Sequence, residues 1–89
     1  MAGMGTQREA LERAIETLGG ITKMALAIGV NSHAVIDQWR RNRVPAEHCP
    51  TIERSTRERA AESGDASLVV TCEELRPDIE WSVLREQAV

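Results

Sequence analysis

The chain has 89 residues and a net charge of −3, which allows a single domain with a modest core. It contains no Phe or Tyr, and its two aromatic residues are Trp39 and Trp81, so we expect an aliphatic core. Its apolar runs fall far short of the roughly 20 residues that cross a membrane, and its first residues lack the pattern of a secretion signal. These features argue against a membrane protein and predict a cytoplasmic one.

Charge is distributed unevenly along the chain. Residues 1–50 contain six basic and five acidic residues, whereas residues 51–89 contain five basic and nine acidic residues. Arg40, Arg41 and Arg43 form a local basic cluster in the first half. A net negative charge by itself argues against a nucleic-acid partner, but this cluster keeps DNA binding open.

The first predicted helix begins at residues 6–9, TQRE, which fit a capping box formed by Thr6 and Glu9. Apolar residues then recur three and four positions apart: Ala10, Leu11, Ala14, Ile15 and Leu18. The Gly19-Gly20 pair ends this helix, since glycine adopts the left-handed conformation that a helix end often requires.

Two short helices joined by a glycine turn are predicted next. The second helix runs from Thr22, its predicted cap, to Gly29, which ends it. Asn31 or Ser32 caps the third helix, whose apolar residues have helical spacing: Val35, Ile36 and Trp39. A tight glycine turn between two short helices is typical of a helix-turn-helix, which we predict at about residues 22–42.

The next part of the chain is predicted to contain a fourth helix over about residues 46–56, which tolerates Pro50 only near its first turn. Residues 57–67 are polar and predict a frayed helix extension that passes into a mobile loop. Residues 68–70 are apolar and predict either a short strand or a buried connection.

A helical tail is predicted over residues 71–89. Its first residues, TCEE, form a second capping box, and Pro77 must end the turn of helix that this box opens. Farther along, one side of the tail carries Ile79, Val83 and Leu84, whereas the pattern does not place Trp81.

Cys49 and Cys72 stand alone, without CxxC spacing, and predict buried or unused thiols, not a disulfide. His48 directly precedes Cys49, a spacing that does not bring a base and a nucleophile to one helix face. A zinc site built from these three residues and His33 would lack paired ligand spacing. We therefore predict no catalytic residue, metal, cofactor or small-molecule ligand.

Two stretches carry a family resemblance: AIETLGGITKMALAIGVNSHAVIDQWRRNRVPAEHCPTIERST and CEELRPDIEW. Within them the glycine turn is followed in order by QWRR, RVPAEHC and ELRPD. Together they resemble prophage Cro-type repressors of the YdaS and Cro superfamily, over residues 14–81 apart from the polar segment near residue 60. The resemblance implies a mainly α-helical, Cro-like protein of about five helices, which forms a homodimer, binds double-stranded DNA and regulates transcription.

The chain departs from the family pattern in two places. The polar stretch 57–67 is longer than the connection expected before the LRPD motif, and Trp39 follows Gly29 by ten residues instead of nine. Either the turn holds an extra residue or the third helix is rotated by one position. The first alternative buries Ile36 and Trp39 and presents His33, Asp37 and Gln38. The second uses Val35 as the main core contact and presents Ser32, His33, Ile36 and Asp37. We favour the first because it buries two residues three positions apart on one face.

Four residues of the third helix and its cap are predicted to contact bases: Ser32, His33, Asp37 and Gln38. Gln38 can bond adenine through two hydrogen bonds, and His33 and Ser32 can donate to or accept from base edges. Simple solvent exposure explains each of them equally well. Asp37 repels phosphate and can help only by accepting from cytosine, so we also expect it to pair with Arg41 one turn later.

Six residues are predicted to contact phosphates: Thr22, Lys23, Asn31, Arg40, Arg41 and Arg43. Basic side chains at the end of a recognition helix can meet the DNA backbone, which supplies much of the affinity. Stabilisation of a helix carboxy terminus by positive charge is the alternative explanation, but three arginines exceed what it requires. For Thr22, a purely local capping role is the alternative.

A second function is compatible with the same sequence. The acidic half of the chain, together with Trp81, also fits an antitoxin-like or regulatory module that docks a protein partner. The two functions do not exclude each other, since the tail can serve to form the dimer.

Overall fold

The computed structural model describes the backbone of residues 6–87 and the side chains of residues 7–85. Within that range the chain forms six α-helices: α1 (Thr6–Thr17), α2 (Ile21–Ile28), α3 (His33–Arg41), α4 (Cys49–Ser63), α5 (Cys72–Leu75) and α6 (Trp81–Gln87). Two short 3-10 helices, Ala46–His48 and Ala66–Leu68, flank α4. None of the described helices is long and apolar enough to cross a membrane.

Helix α1 forms as its apolar spacing predicts. Its inner face carries the five predicted core residues, all of them buried: Ala10, Leu11, Ala14, Ile15 and Leu18. The predicted capping hydroxyl of Thr6 lies outside the described side chains, so this part of the prediction is not addressed. Because α1 packs on α2, α4 and α5, it forms the centre of the fold.

Helix α2 begins one residue earlier than predicted. Gly20, not Thr22, is the cap residue, and no side chain caps this end. The predicted cap at Thr22 is therefore wrong, because the Met24 amide already bonds the Gly20 carbonyl at 2.9 Å and closes the first turn there. The exposed hydroxyl of Thr22 remains on the first turn of the helix.

The turn between α2 and α3 is closed by the backbone. Gly29 has a φ of 82°, a left-handed conformation that favours glycine. The amides of Gly29 and Val30 both donate to the Ala25 carbonyl at 3.0 Å. Ser32 then caps α3, because its hydroxyl oxygen accepts from the Ala34 amide at 3.0 Å. Of the two predicted caps, Ser32 is the one that forms.

The rotation of α3 agrees with the first of the two alternatives. Ile36 and Trp39 are buried, whereas Val35 is only partly buried at the edge of the core. The turn therefore holds the extra residue, and the helix is not rotated. As a result α2, the turn and α3 form a helix-turn-helix at the predicted position.

Helix α4 continues past residue 56, as the helix extension predicted for residues 57–67 implies, and the loop that follows it is short. The helix continues to Ser63 and ends at Gly64, which is left-handed with a φ of 69°. Its second half is held from inside by buried Thr56 and Ala60. Thr56 accepts from the Val70 amide at 3.0 Å. Pro50 lies in the first turn, as predicted.

Residues 68–70 do not form the short strand that was one of the two predicted possibilities. Ala66–Leu68 is a 3-10 helix, and no strand occurs within residues 6–87. Val70 is fully buried, and the Thr17 hydroxyl donates to the Leu68 carbonyl at 3.0 Å. The segment is therefore the buried connection that was the other possibility.

The two carboxy-terminal helices differ in how well the sequence predicts them. The capping box of Thr71 and Glu74 opens α5 as predicted. In α6, however, Trp81 is the buried residue, and its indole Nε1 donates to the Arg76 carbonyl at 2.8 Å. Val83 and Leu84 are 46% and 48% exposed. The sequence placed Ile79, Val83 and Leu84 on one side of the tail, but in the structure Ile79 packs against the core whereas Val83 and Leu84 face outward, because the Trp81 anchor sets the rotation of α6.

Both cysteines are free and buried, as predicted. Burial raises the pKa of Cys49 to about 11. For Cys72, burial together with the neighbouring Glu53 carboxylate raises the pKa to about 12. Both thiols are therefore uncharged at neutral pH and poor nucleophiles.

Candidate nucleic-acid interface

The outer face of α3 is polar and accessible. With Ile36 and Trp39 turned inward, the opposite face presents His33, Gln38 and Arg41 to solvent. Ala34 is also exposed on this face, although the sequence pattern did not single it out. Its methyl group is of the kind that contacts the methyl group of thymine. The face can therefore offer both polar and apolar contacts to base edges.

Ser32 and Asp37 already form polar contacts within the chain. The Ser32 oxygen accepts a hydrogen bond from the Ala34 amide. The hydroxyl proton of Ser32 therefore remains available to donate to another group. Asp37 is half-buried and has two arginine partners on its own helix. Arg40 Nη1 lies 3.2 Å from one carboxylate oxygen, and Arg41 Nη2 lies 3.7 Å from the other. The predicted pair of Asp37 with Arg41 is confirmed.

Arg41 and Arg40 lie in different environments although they are adjacent in sequence. The Arg41 side chain is 79% exposed, so its guanidinium can reach a phosphate although it also forms the long ion pair with Asp37. The Arg40 side chain is only 28% exposed and is directed towards Glu12 of α1. Its Nε lies 2.8 Å from Glu12 Oε2, and its Nη2 donates to Oε1 at 3.2 Å. The Glu12 hydrogen bond raises the pKa of Arg40.

Sequence reasoning missed the role of Glu12. Glu12 and Arg40 are 28 positions apart, and no local pattern links them. Glu12 also belongs to the ordinary charged face of an amphipathic helix, which does not single it out. Its contact becomes apparent only when α1 and α3 are packed together.

Arg43 forms an ion pair with the LRPD sequence of the tail. Its Nη1 lies 3.4 Å from Asp78 Oδ2. Arg76 donates to both oxygens of Asp78 at 2.9 Å, and it also donates to the Val44 carbonyl at 3.0 Å. These bonds from Arg76, with the charge of Arg43, lower the pKa of Asp78 to about 2. The arrangement holds the chain just after α3 against the tail.

The remaining predicted phosphate contacts lie near the two ends of α2. Thr22 and Lys23 are exposed on its first turn, and Asn31 is exposed in the turn that follows it. Helix amides and short polar side chains in such positions can bond a phosphate. The structure therefore leaves all three side chains accessible.

Beneath α3, Trp39 contacts His48. Their ring centroids are 5.1 Å apart, with an angle of 33° between the ring planes. His48 lies in the 3-10 helix that precedes α4 and is half-buried. This contact supports the inner side of α3 from the following segment, a role that the sequence did not reveal.

Glu53 is the centre of the ion-pair network in the tail. It is a buried carboxylate that accepts from Arg57 at 2.7 Å, Arg85 at 2.8 Å and the Cys72 amide at 2.8 Å. Burial alone would raise the pKa of Glu53, but the bonds from Arg85 and Cys72 outweigh it and lower the pKa to about 2. This network holds α6 and α5 on α4.

Comparison with known proteins identifies the family. Residues 11–84 match the family described as "Bacterial toxin YdaS". This chain belongs to the YdaS family. One YdaS relative, the "Putative transcriptional regulator YdaS" of Escherichia coli, is 41% identical over 87 residues, which are 96% of this chain and 78% of the relative.

A solved structure supports the same relationship. The YdaS-family chain resembles the "Cro protein from putative prophage element Xfaso 1" of Xylella fastidiosa, with a TM-score of 0.63 and 41% identity. The match covers 79% of this chain and 92% of the Cro chain. The predicted resemblance to the YdaS and Cro superfamily is confirmed, and the helix-turn-helix of this chain belongs to a Cro-like fold.

Proposed function

We propose that the protein is a transcriptional regulator that binds double-stranded DNA through α3. The observation that carries this proposal is the packing of α3, in which Ile36 and Trp39 anchor the helix and leave the opposite polar face open. A helix presented in this way can enter the major groove with its amino-terminal residues near base edges. The Escherichia coli relative, described as a putative transcriptional regulator, and the Cro-like fold support the same function.

Base contacts are assigned to the accessible face of α3 and its cap. Gln38 would bond adenine, His33 would donate to or accept from a base, and Ala34 would contact a thymine methyl group. Ser32 and Asp37 remain in this set with narrower roles. Ser32 would donate its hydroxyl proton, and Asp37 would orient Arg41 in addition to any contact with cytosine.

Phosphate contacts are assigned to Thr22, Lys23, Asn31, Arg41 and Arg43. Their side chains are all exposed, and Arg43 would exchange its long contact with Asp78 for a phosphate. Arg40 was predicted to belong to this set, but its engagement with Glu12 and Asp37 supports a different role. We assign Arg40 to positioning α3 on α1.

The proposal also includes the oligomeric state of the protein and its effect on transcription. A homodimer with a two-fold axis would present two copies of α3 about 34 Å apart, which matches half-sites one turn of DNA apart. Such a dimer would bind a palindromic operator and act as a Cro-type repressor in the bacterial cytoplasm. It would need no cofactor and no catalytic residue.

The alternative, a module that docks a basic protein through its acidic half, receives less support. Several acidic residues of that half already pair within the chain: Glu53, Glu73, Glu74 and Asp78. Trp81, the other feature behind this alternative, is buried and is not available to a partner. We therefore do not propose it as the main function.

Selection of binding sites from random duplexes tests the proposal. The wild-type protein should enrich a palindrome with two half-sites about one helical turn apart. A His33→Ala/Gln38→Ala variant should lose sequence preference within each half-site, whereas Glu58→Ala, on the exposed side of α4, should keep it. If the folded wild-type protein enriches no sequence, the proposed function is wrong.

A further inference from the structure

An open cavity of about 370 Å³ lies between α4 and α6. Pro50 and Arg54 line it from α4, whereas Trp81 and Leu84 line it from α6. Next to it, Val83 and Leu84 form an apolar ridge whose residues are about half exposed. The same face of the protein therefore carries both an apolar hollow and an apolar projection.

Opposite charges border this face. Arg54 lies at the α4 side of the cavity and is exposed, and among the described residues it has no ion pair. Glu80 directly precedes α6, and helical spacing of three and four residues brings it to the side of Val83 and Leu84. Glu80 is likewise exposed and has no ion pair within residues 7–85. Most other charges around the cavity, such as Arg57 and Arg85, are satisfied by Glu53.

We propose that a second copy of this chain docks on this face, with a two-fold axis passing near Leu84. In such an arrangement the Leu84 side chain of each copy enters the cavity of the other. Arg54 of one copy then faces Glu80 of the second copy, and the same pair forms again by symmetry. Each copy thus provides a leucine for the cavity of the other copy and a glutamate for its arginine.

The self-complementarity of the face favours a second copy over an unrelated partner. A two-fold interface uses one surface twice, so it requires the projection, the hollow and both charges on that single surface. The position of the face is also suitable, because α6 is held by α4 and α5, whereas the inner side of α3 packs on α2. Pairing through α6 would leave the outer side of α3 open. The inference rests on the proposed function, since a palindromic operator requires two related copies.

Sedimentation analysis of the full chain over a range of concentrations tests the interface. Leu84→Lys should raise the dimer dissociation constant at least about tenfold, because it brings a positive charge into a cavity that Arg54, Arg57 and Arg85 already line. Arg54→Glu and Glu80→Arg should each raise it about tenfold, since each creates two like-charge contacts. The combined variant, Arg54→Glu/Glu80→Arg, should return it to within about threefold of the wild-type value, because both pairs form again with exchanged signs.

Matched controls separate the interface from general effects of charge. Leu26→Lys changes an exposed leucine of α2, and Glu58→Arg changes an exposed glutamate of α4, so neither should alter the dissociation constant. Circular dichroism should show that every variant keeps its helices. Should Leu84→Lys fail to fold, the exchange of charges between Arg54 and Glu80 still tests the interface.

Three results would overturn the interface: a wild-type protein that stays monomeric at all concentrations, a dimer insensitive to Leu84→Lys, or a double variant that is no better than either single one. If any of these occurs while the wild-type protein still selects a palindrome, only the interface is wrong. If the charge exchange behaves as expected but no duplex is enriched, the proposed function is wrong and the interface stands.

Discussion

Arg40 of α3 and Glu12 of α1 form a direct ion pair, with Arg40 Nε 2.8 Å from Glu12 Oε2. The contact joins the carboxy-terminal turn of the proposed recognition helix to the central helix of the fold. Because Arg40 also donates to Asp37 at 3.2 Å, the pair orients a second polar residue of α3. We therefore assign different roles to these two neighbouring arginines. Arg40 positions the helix, and Arg41 contacts a phosphate of the DNA.

The salt dependence of DNA binding should distinguish these two arginines. Arg41→Ala should reduce the slope of log K against log salt by about one unit, because one phosphate contact is lost. Arg40→Ala should leave the slope unchanged and lower the melting temperature instead, since its partners are Glu12 and Asp37. Fluorescence anisotropy at several salt concentrations measures both slopes. Equal reductions would show that Arg40 also contacts a phosphate.

Gln38→Ala should relax sequence preference at one base pair of each half-site. The expected loss of discrimination there is about 1 to 3 kcal/mol, the range of a bidentate contact with a base. Competition binding with a set of singly substituted operators measures it. Lys23→Ala is the matched control and should weaken binding to all operators alike. Uniform weakening by Gln38→Ala would instead assign this side chain to the backbone.

Truncation of two adjacent residues should report the orientation of α3 in solution. Ile36→Ala removes a fully buried side chain and should lower the free energy of unfolding by about 3 kcal/mol. Val35→Ala truncates a partly buried residue and should cost about 1 kcal/mol or less. Urea denaturation of both variants provides the comparison. The opposite order would support the rotated alternative.

The buried carboxylate of Glu53 should make stability depend on pH in the acid range. Its pKa is lowered from 4.5 to about 2 in the folded protein, so its stabilising effect is complete above the unfolded value and is lost as pH falls from about 5 towards 2. The wild-type protein should lose about 2 to 3 kcal/mol of stability through this group over that interval.

Comparison of two glutamate variants isolates this contribution. Glu53→Gln should be less stable at neutral pH and should show a flatter dependence of stability on pH between 5 and 2, measured by denaturation at a series of pH values. Glu58→Gln removes an exposed carboxylate from the same helix and should keep the wild-type profile. An unchanged slope in Glu53→Gln would contradict the assignment.

Several features of the fold could be predicted because they depend on neighbours along the chain. The inner face of α1, the glycine turn, the Ser32 cap and the Thr71 capping box all follow from spacing and from local hydrogen bonds. The second half of α4 was predicted only as a frayed extension, and its firm packing on the core could not be foreseen from the sequence. Its buried residues are Thr56 and Ala60, which give almost no hydrophobic signal in an otherwise polar segment.

The candidate site likewise contains features that the sequence predicts and features that it does not. The sequence left two rotations of α3 open and favoured the one that presents His33 and Gln38, and the burial of Ile36 and Trp39 in the structure selects this one. The partners of the arginines could not be placed, because each lies on a distant segment. Their ion pairs decide which arginines remain available to phosphate.

Periodicity, caps and turn glycines act over a few residues, so the helix-turn-helix and the family resemblance could be predicted from the sequence, with two rotations of α3 left open. The packed fold was needed to select the rotation, to show that Arg40 pairs with Glu12, and to show that Trp81 turns inward while Val83 and Leu84 turn outward. The physical reason is distance along the chain. Packing brings remote residues together, and a single buried anchor such as the indole of Trp81 sets the rotation of a short helix whose own pattern is too brief to do so.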